Sequence, residues 1–99
     1  MYNSISANEM DQLYRKKANI KILDVREPNE YKAGHIPGAI SMPLSSFSTQ
    51  MNDLKRAQHY YVICHSGSRS SMACQHLGSS GFQTTNVIGG MSAWKGDLE

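Results

Sequence analysis

A cysteine stands at the centre of the residues best suited to chemistry in this sequence. Cys64 follows a short apolar segment, residues 60–63, which is typical of a buried strand. The cysteine loop, residues 64–69, then continues with His65, Ser66, Gly67, Ser68 and Arg69. Residues 71–77 have the pattern of a helix. A cysteine on a polar loop between a strand and a helix N-terminus favours thiolate chemistry in an anion-binding pocket.

Activation of this cysteine needs more than the helix. An ordinary cysteine has a pKa of about 8.5, so only about 3% is thiolate at pH 7. A helix N-terminus stabilises a nearby anion by about 0.3–1 kcal/mol, whereas one pKa unit corresponds to about 1.4 kcal/mol. We therefore expect backbone N–H groups of the loop to contribute as well. Residues 65–68 suit that task, because they lack proline and Gly67 tolerates a positive φ.

Arg69 brings a permanent positive charge and a planar set of donors to the loop. It can bind an anionic substrate, brace the loop by pairing with a carboxylate such as Asp24, or do both. Asp24 is predicted to stand near the C-terminal end of a strand, where α/β sheets place functional groups. We expect Asp24 to support the site by tuning the loop or by pairing with Arg26 or Arg69, rather than by transferring protons.

The second cysteine, Cys74, lies at core-like helical spacing near Leu77 and is predicted to pack in the core. Zinc binding by Cys64, Cys74, His65 and His76 is not expected, because no close pair of cysteines is present. The sequence therefore predicts no metal site.

The elements that must position these residues alternate along the chain. Helices are predicted at about residues 7–16, 27–34, 44–54 and 71–77, with a last helical turn at 91–94. Strands are predicted at residues 20–25, 39–41, 60–63 and 86–88. This alternation predicts an α/β fold with a parallel sheet and helices on both faces. The length of 99 residues fits one domain, residues 1–99.

Charge and hydropathy limit which partners and which cellular compartment are expected. The formal net charge of +2 is too small to predict nucleic-acid binding, and the basic clusters at residues 15–17 and 55–56 are short. No apolar run is long enough for a membrane span, and no signal peptide is evident. The two cysteines do not indicate a secreted disulfide framework. We therefore expect a cytoplasmic protein without nucleic-acid or membrane partners.

Four motifs resemble those of the rhodanese family of sulfurtransferases. The cysteine loop matches the family's pattern of cysteine, two residues, glycine, one residue and arginine. The other three are Asp24-Val25-Arg26 with Glu30-Tyr31, Gly34-His35-Ile36-Pro37-Gly38-Ala39, and Gly89-Gly90-Met91-Ser92-Ala93-Trp94. They occur in the family's order over nearly the whole chain. The resemblance implies a single rhodanese domain with a central five-stranded parallel sheet flanked by helices.

The resemblance also implies a reaction at Cys64. This residue would accept a sulfane sulfur from a donor such as thiosulfate, and a thiophilic acceptor such as cyanide or a thiol would then attack the persulfide. The loop N–H groups would stabilise the persulfide anion, with ping-pong kinetics and no cofactor. Many relatives carry a basic residue where this chain has His65, which is mostly uncharged at pH 7. Capture of the thiosulfate dianion is therefore expected to be weaker than in a more cationic loop, and a persulfide or protein donor is an alternative.

Two other functions stay open at this stage. A phosphatase or arsenate reductase also uses a cysteine on an anion-binding loop, but related cell-cycle phosphatases have five residues between cysteine and arginine. This chain has four, and one residue corresponds to up to about 3.5 Å of chain, comparable with the extra room that a tetrahedral oxyanion needs. The other alternative is a non-catalytic binding or sensing module, a role that rhodanese-like domains often have when the cysteine is missing.

The remaining motif residues are predicted to be structural. His35 lies in a Gly/Pro turn, where we expect its side chain to make a turn hydrogen bond. Trp94 is expected to anchor packing rather than to bind a ligand. Tyr31, Met72 and Met91 are expected to form core or pocket wall.

Overall fold

The computed structural model describes residues 2–16 and 20–99. Five parallel strands form one sheet in the order β1-β5-β4-β2-β3. The strands are β1 (Asn3–Ser6), β2 (Lys21–Asp24), β3 (Ile40–Ser41), β4 (His59–Ile63) and β5 (Gln83–Ile88). The helices are α1 (Ala7–Lys16), α2 (Pro28–Ala33), α3 (Phe47–Gln50), α4 (Ser68–Ser79) and α5 (Gly90–Ala93). The predicted α/β fold with a parallel sheet is confirmed.

Apolar clusters cover both faces of the sheet, because successive strand side chains point to opposite sides. In β4, Val62 belongs to one cluster and Ile63 to the other. The first cluster includes buried residues of α3 and α4, and the second includes buried residues of α1 together with Trp94. The sheet is therefore enclosed by helices on both sides, and β4 runs through its middle.

The sequence patterns predict four strands, and β1 is not among them. This strand has the sequence Asn-Ser-Ile-Ser and, among the described strands, lies at the edge of the sheet next to β5. Its polar, partly exposed residues carry no apolar run from which a strand could be predicted. The resemblance implies five strands, and β1 is the fifth. Strand β5 is also longer than predicted, because the polar residues Gln83, Thr84 and Thr85 belong to it.

The predicted helix over residues 44–54 is interrupted. It consists of α3 with a 3₁₀ turn before it at Leu44–Ser46 and another after it at Met51–Asp53. Its apolar residues still pack on the first cluster, so the spacing predicted the buried face correctly and the geometry incorrectly. By contrast, α4 begins three residues earlier than predicted, at Ser68, which places its N-terminus inside the cysteine loop.

Two sequence expectations concern binding properties of the whole chain. In the described ranges, no helix is long and apolar enough to cross a membrane. The side chains of those same residues include no group of three or more His, Cys, Asp or Glu that could hold a metal ion. Lys17, part of the basic cluster at residues 15–17, lies outside the described residues.

Candidate active site

Cys64 directly follows the central strand β4, at the edge where the carboxyl ends of the parallel strands meet. This edge is the usual place for ligand sites in α/β proteins. The cysteine is fully buried, with 0% of its surface exposed. Gly67, at a φ of +110°, then turns the chain into α4. Its lack of a side chain matters, since a Cβ there would lie 3.3 Å from the backbone nitrogen of Gly89.

Helix α5 fixes the backbone of the cysteine loop. The N–H groups of Met91 and Ser92 donate to the carbonyl oxygens of Cys64 and His65, each at 2.8 Å. Because N–H and C=O point in opposite directions across a trans peptide, the N–H groups of His65 and Ser66 face away from α5. The orientation of the loop peptides is therefore set from outside the loop.

Gly90 allows α5 to approach the loop this closely. Its φ is +55°, and a Cβ at this position would overlap the carbonyl oxygen of Cys64 and lie 2.7 Å from that of His65. Both oxygens belong to backbone that cannot move without displacing the cysteine. A residue other than glycine is therefore excluded by space as well as by conformation.

The sulfur of Cys64 is surrounded by hydrogen-bond donors. Burial raises the pKa of the thiol, but the hydrogen bond with the Ser70 hydroxyl and those with the N–H groups of Ser70, Gly67 and Ser66 outweigh burial, so the pKa is lowered. The Gly67 nitrogen lies 3.0 Å from Sγ and the Ser70 Oγ lies 3.4 Å from it. These are the features of a stabilised thiolate.

Side chains of the loop contribute less than its backbone. His65, Ser66 and Ser68 are exposed, and Gly67 has no side chain. Cys74 provides the contrast to Cys64: burial raises its pKa to about 11, and it packs in the first apolar cluster, as predicted. The two cysteines therefore differ in the direction of their pKa shifts, and Cys64 is the one whose pKa is lowered.

Arg69 braces the loop, but its partner differs from the predicted one. Its two terminal nitrogens donate to the two carboxylate oxygens of Glu30 in α2, at 2.7 and 3.0 Å. The predicted pairing of Arg69 with Asp24 is wrong. Hydrogen bonds from Arg69, and then from the backbone N–H of Glu27, lower the pKa of Glu30 to about 2. The pair ties the first turn of α4 to α2.

Asp24 pairs with Arg26 instead, one of the two predicted alternatives. Their side chains are almost fully buried, and the Arg26 Nη2 lies 2.7 Å from Asp24 Oδ2. The same nitrogen donates to the carbonyl oxygen of Gly34 at 2.8 Å, just after the end of α2. Asp24 and Arg26 therefore hold α2, which in turn presents Glu30 to the loop.

The residues predicted to be structural are mostly in such roles. His35 Nδ1 lies 2.9 Å from the carbonyl oxygen of Tyr31, which is the expected turn hydrogen bond. Trp94 is buried and packs edge-to-face on Tyr14, with ring centroids 5.8 Å apart. Met72 is not core, because 61% of its surface is exposed.

Three residues of the site were not identified from the sequence as functional: Glu30, Ser70 and Asn86. Glu30 stands in one of the motifs, and Ser70 directly follows Arg69. Asn86 carried a weaker signal, namely an amide flanked in sequence by the β-branched residues Thr85 and Val87. All three are brought to the loop by elements remote from it or by the first turn of α4.

The fold and the site together define an α/β protein whose activated cysteine sits in a ring of N–H groups. The family model described as "Rhodanese-like domain" matches residues 6–97. The chain belongs to this family.

Relatives and solved structures agree with this assignment. The chain is 40% identical over 96 residues to "Putative sulfur carrier protein YrkF" of Bacillus subtilis (strain 168), covering 96% of this chain and 52% of that protein. It is 36% identical to "Putative sulfurtransferase YtwF" of the same organism, covering 96% of this chain and 92% of that protein. A rhodanese-like domain protein of Staphylococcus aureus has 32% identity and a TM-score of 0.92, covering 98% and 96% of the two chains. The chain thus spans about half the length of the carrier protein.

The close approach of α5 predicts a large cost for Gly90→Ala. We expect the free energy of unfolding to fall by more than about 3 kcal/mol, because the left-handed conformation costs about 1–2 kcal/mol and the clash with the loop adds to it. Gly38→Ala is the matched control: its φ is +88°, but no atom lies within 4 Å of the added Cβ. Urea unfolding of both variants measures the difference, and equal losses would contradict the proposed contact.

The Glu30–Arg69 pair predicts a pH dependence of stability. Because the pKa of Glu30 is lowered to about 2 from 4.5, the unfolded chain binds more protons between these values. Stability from this pair is therefore present above about pH 4.5 and is lost as the pH falls toward 2. The carboxylate is 31% exposed, so solvent screening limits the effect to about 1 kcal/mol.

Chemical denaturation at pH 2.5 and pH 6 tests this expectation. The drop in stability between the two pH values should be smaller in Glu30→Gln than in the wild type. Asp53→Asn serves as control, since Asp53 is exposed and has no ion pair with any described residue. An unchanged drop in Glu30→Gln would show that the pair does not stabilise the fold.

Proposed function

We propose that this protein transfers a sulfane sulfur through a persulfide on Cys64. The observation that carries the proposal is the buried sulfur with a lowered pKa, held among N–H groups of the loop. The Cys64 thiolate attacks the outer sulfur of the donor, a bond forms between the two sulfurs, and the donor's own sulfur bond breaks. With thiosulfate the leaving group is sulfite, and with a persulfide donor it is a thiolate.

The second half of the reaction returns the enzyme to its starting state. A thiophilic acceptor, cyanide or a thiolate, attacks the outer sulfur of the Cys64 persulfide. The new bond gives thiocyanate or an acceptor persulfide, and Cys64 leaves as its thiolate. No outside oxidant or reductant is needed, and the two steps give ping-pong kinetics. Between them the N–H groups stabilise the anionic terminal sulfur.

The charges around the loop favour a persulfide donor over thiosulfate. Both terminal nitrogens of Arg69 donate to Glu30, so the charge of the arginine is balanced by a carboxylate. His65, the other basic side chain of the loop, is exposed to solvent, which screens its interaction with a bound anion. A dianion gains little from such a neutralised surface, whereas a persulfide carries its charge on the sulfur that enters the cradle.

A protein is the donor or acceptor that best fits this proposal. A relative 40% identical to this chain is named a sulfur carrier, and this chain matches about half of it. A persulfide covered by the loop is protected from free thiols while it waits for its acceptor. Transfer of sulfur from one protein thiol to another would use this protection and the preference for a persulfide donor.

Phosphate or arsenate chemistry fits the site less well. Four residues separate Cys64 from Arg69, and Cys64 has no exposed surface. A single sulfur atom can reach such a position by a small movement of the loop, whereas a tetrahedral oxyanion needs a wider bowl. Turnover of an aryl phosphate that is lost in Cys64→Ser would contradict this preference.

Intact-mass measurement tests the persulfide directly. After treatment with a sulfane donor, the wild type should gain one sulfur, about 32 mass units, and lose it on addition of cyanide. Cys64→Ala should gain nothing, because it lacks the nucleophile, whereas Cys74→Ala should still be loaded. If no donor, including thiosulfate and glutathione persulfide, loads the wild type, the proposed function is wrong.

Charge substitution at position 65 tests the choice of donor. We expect His65→Arg to lower the KM for thiosulfate by about three- to tenfold, because it adds a permanent positive charge beside the sulfur. The KM for glutathione persulfide should change less. Gln83→Arg is the matched control, since Gln83 is exposed at the start of β5, the opposite end of the sheet. A thiosulfate KM already in the low micromolar range in the wild type would contradict the preference for persulfide donors.

A further inference from the structure

A short chain of buried polar groups lies behind the sulfur, on the side of α4 and β5. Ser70 Oγ is 2.5 Å from Asn86 Oδ1, 3.1 Å from the carbonyl oxygen of Gly67 and 3.4 Å from Cys64 Sγ. Ser70 and Cys64 have no exposed surface, and Asn86 is only 6% exposed. Polar groups buried this deeply depend on one another for hydrogen bonds.

The hydroxyl of Ser70 has only one proton to donate. Three acceptors surround it: the Asn86 Oδ1, the Gly67 carbonyl oxygen and the Cys64 sulfur. The amide of Asn86 is oriented by its Nδ2, which lies 3.4 Å from the carbonyl oxygen of Gly67, so Oδ1 faces Ser70. An amide oxygen cannot donate, and the short Ser70–Asn86 bond therefore uses the serine proton.

This arrangement distinguishes the two charge states of the cysteine. When Cys64 is a thiol, its S–H can donate to Ser70 Oγ, and Ser70 donates onward to Asn86. When the sulfur is an anion, it needs the serine proton for itself and competes with Asn86 Oδ1 for it. The acceptor that Asn86 supplies thus favours the thiol over the anion.

We propose that Asn86 is a positioning residue that acts through Ser70 and limits the fraction of the unloaded Cys64 that is thiolate. The proposal deepens, and rests on, the sulfur-transfer function proposed above. The inner sulfur of a persulfide carries no proton, so loading removes the S–H group that donates to Ser70 in the unloaded thiol. Asn86 therefore disfavours the anion of the unloaded cysteine more than the anion of the persulfide.

A purely structural role for Asn86 makes the opposite prediction. If Asn86 only packed α4 against β5, its loss would loosen the loop, move the N–H donors away from the sulfur and disfavour the thiolate. If Asn86 withholds the serine proton, its replacement by an apolar residue of similar size frees that proton for the sulfur and favours the thiolate. The direction of the change separates the two roles.

The experiment is a titration of the Cys64 thiolate by its absorbance at 240 nm between pH 4 and 9. It requires no reagent to enter the buried site, and Cys64→Ser identifies the signal. Cys74 stays protonated in this range, since burial raises its pKa to about 11. Relative to the wild type, Asn86→Leu should shift the midpoint to lower pH and raise the thiolate fraction at pH 7 about three- to tenfold.

Two further variants complete the test. Ser70→Ala should shift the midpoint to higher pH, and in that background Asn86→Leu should have no further effect, because the shared proton is gone. Thr84→Val is the matched control: Thr84 is buried in the same strand, two residues before Asn86, and its hydroxyl has no hydrogen-bond partner among the described residues. Its midpoint should equal that of the wild type.

A midpoint in Asn86→Leu that is unchanged or shifted to higher pH would overturn the proposal. If this variant does not fold, the same titration is carried out on Asn86→Val, because valine is favoured in strands. The same shift of the midpoint to lower pH is expected. The titration uses no sulfur donor. Failure of the wild type to form a persulfide would therefore refute the proposed function alone, and a wrong midpoint shift would refute the role of Asn86 alone.

Discussion

Two backbone hydrogen bonds from α5 to the carbonyl oxygens of Cys64 and His65 are the contact on which the rest of the site depends. A loop that encloses an anion must turn its N–H groups inward, and the carbonyl oxygens then need donors outside it. The first turn of a helix has N–H groups without partners inside the helix. In this protein the N–H groups of α5 donate to the carbonyl oxygens of the cysteine loop, so both sets of groups have hydrogen-bond partners. Gly90 is the residue that lets the backbones approach closely enough.

The electrostatic character of the site follows from this backbone design. The sulfur is stabilised by peptide dipoles and a hydroxyl group rather than by a free cation nearby, since Arg69 is engaged with Glu30. Peptide N–H groups stabilise whichever anion occupies the position they face and hold it at one place. Such a cradle suits the sulfur transfer proposed above, in which the cysteine carries an anionic sulfur both as the attacking thiolate and as the persulfide.

The sequence predicted the local parts of this site well. The strand before Cys64, the loop and the helix after it are encoded within residues 60–77, so periodicity and loop composition were enough. The partner of Arg69 was mispredicted because Asp24 and Glu30 both lie at the same edge of the sheet. The choice between these carboxylates depends on the path of α2, which Asp24 and Arg26 fix through Gly34.

Other features depend on contacts that no local pattern contains. The role of Ser70 becomes visible only when β5 brings Asn86 beside it, 16 residues further along the chain. Strand β1 is polar and owes its strand conformation to pairing with β5, not to its own residues. The interruption of the helix at residues 44–54 likewise cannot be predicted from the spacing of the apolar residues. A continuous helix and a helix flanked by 3₁₀ turns would both bury these residues.

The separation of Cys64 from α5 along the chain has a consequence for the order of events in folding. The loop follows β4, but the groups that orient it come from residues 90–92, after β5 has completed the sheet. Until α5 docks, the N–H groups of the loop are not held toward the Cys64 sulfur, and the cysteine behaves as an ordinary thiol. The lowered pKa of Cys64 is therefore a property of the finished fold, so an incompletely folded chain is spared the oxidation to which thiolates are prone.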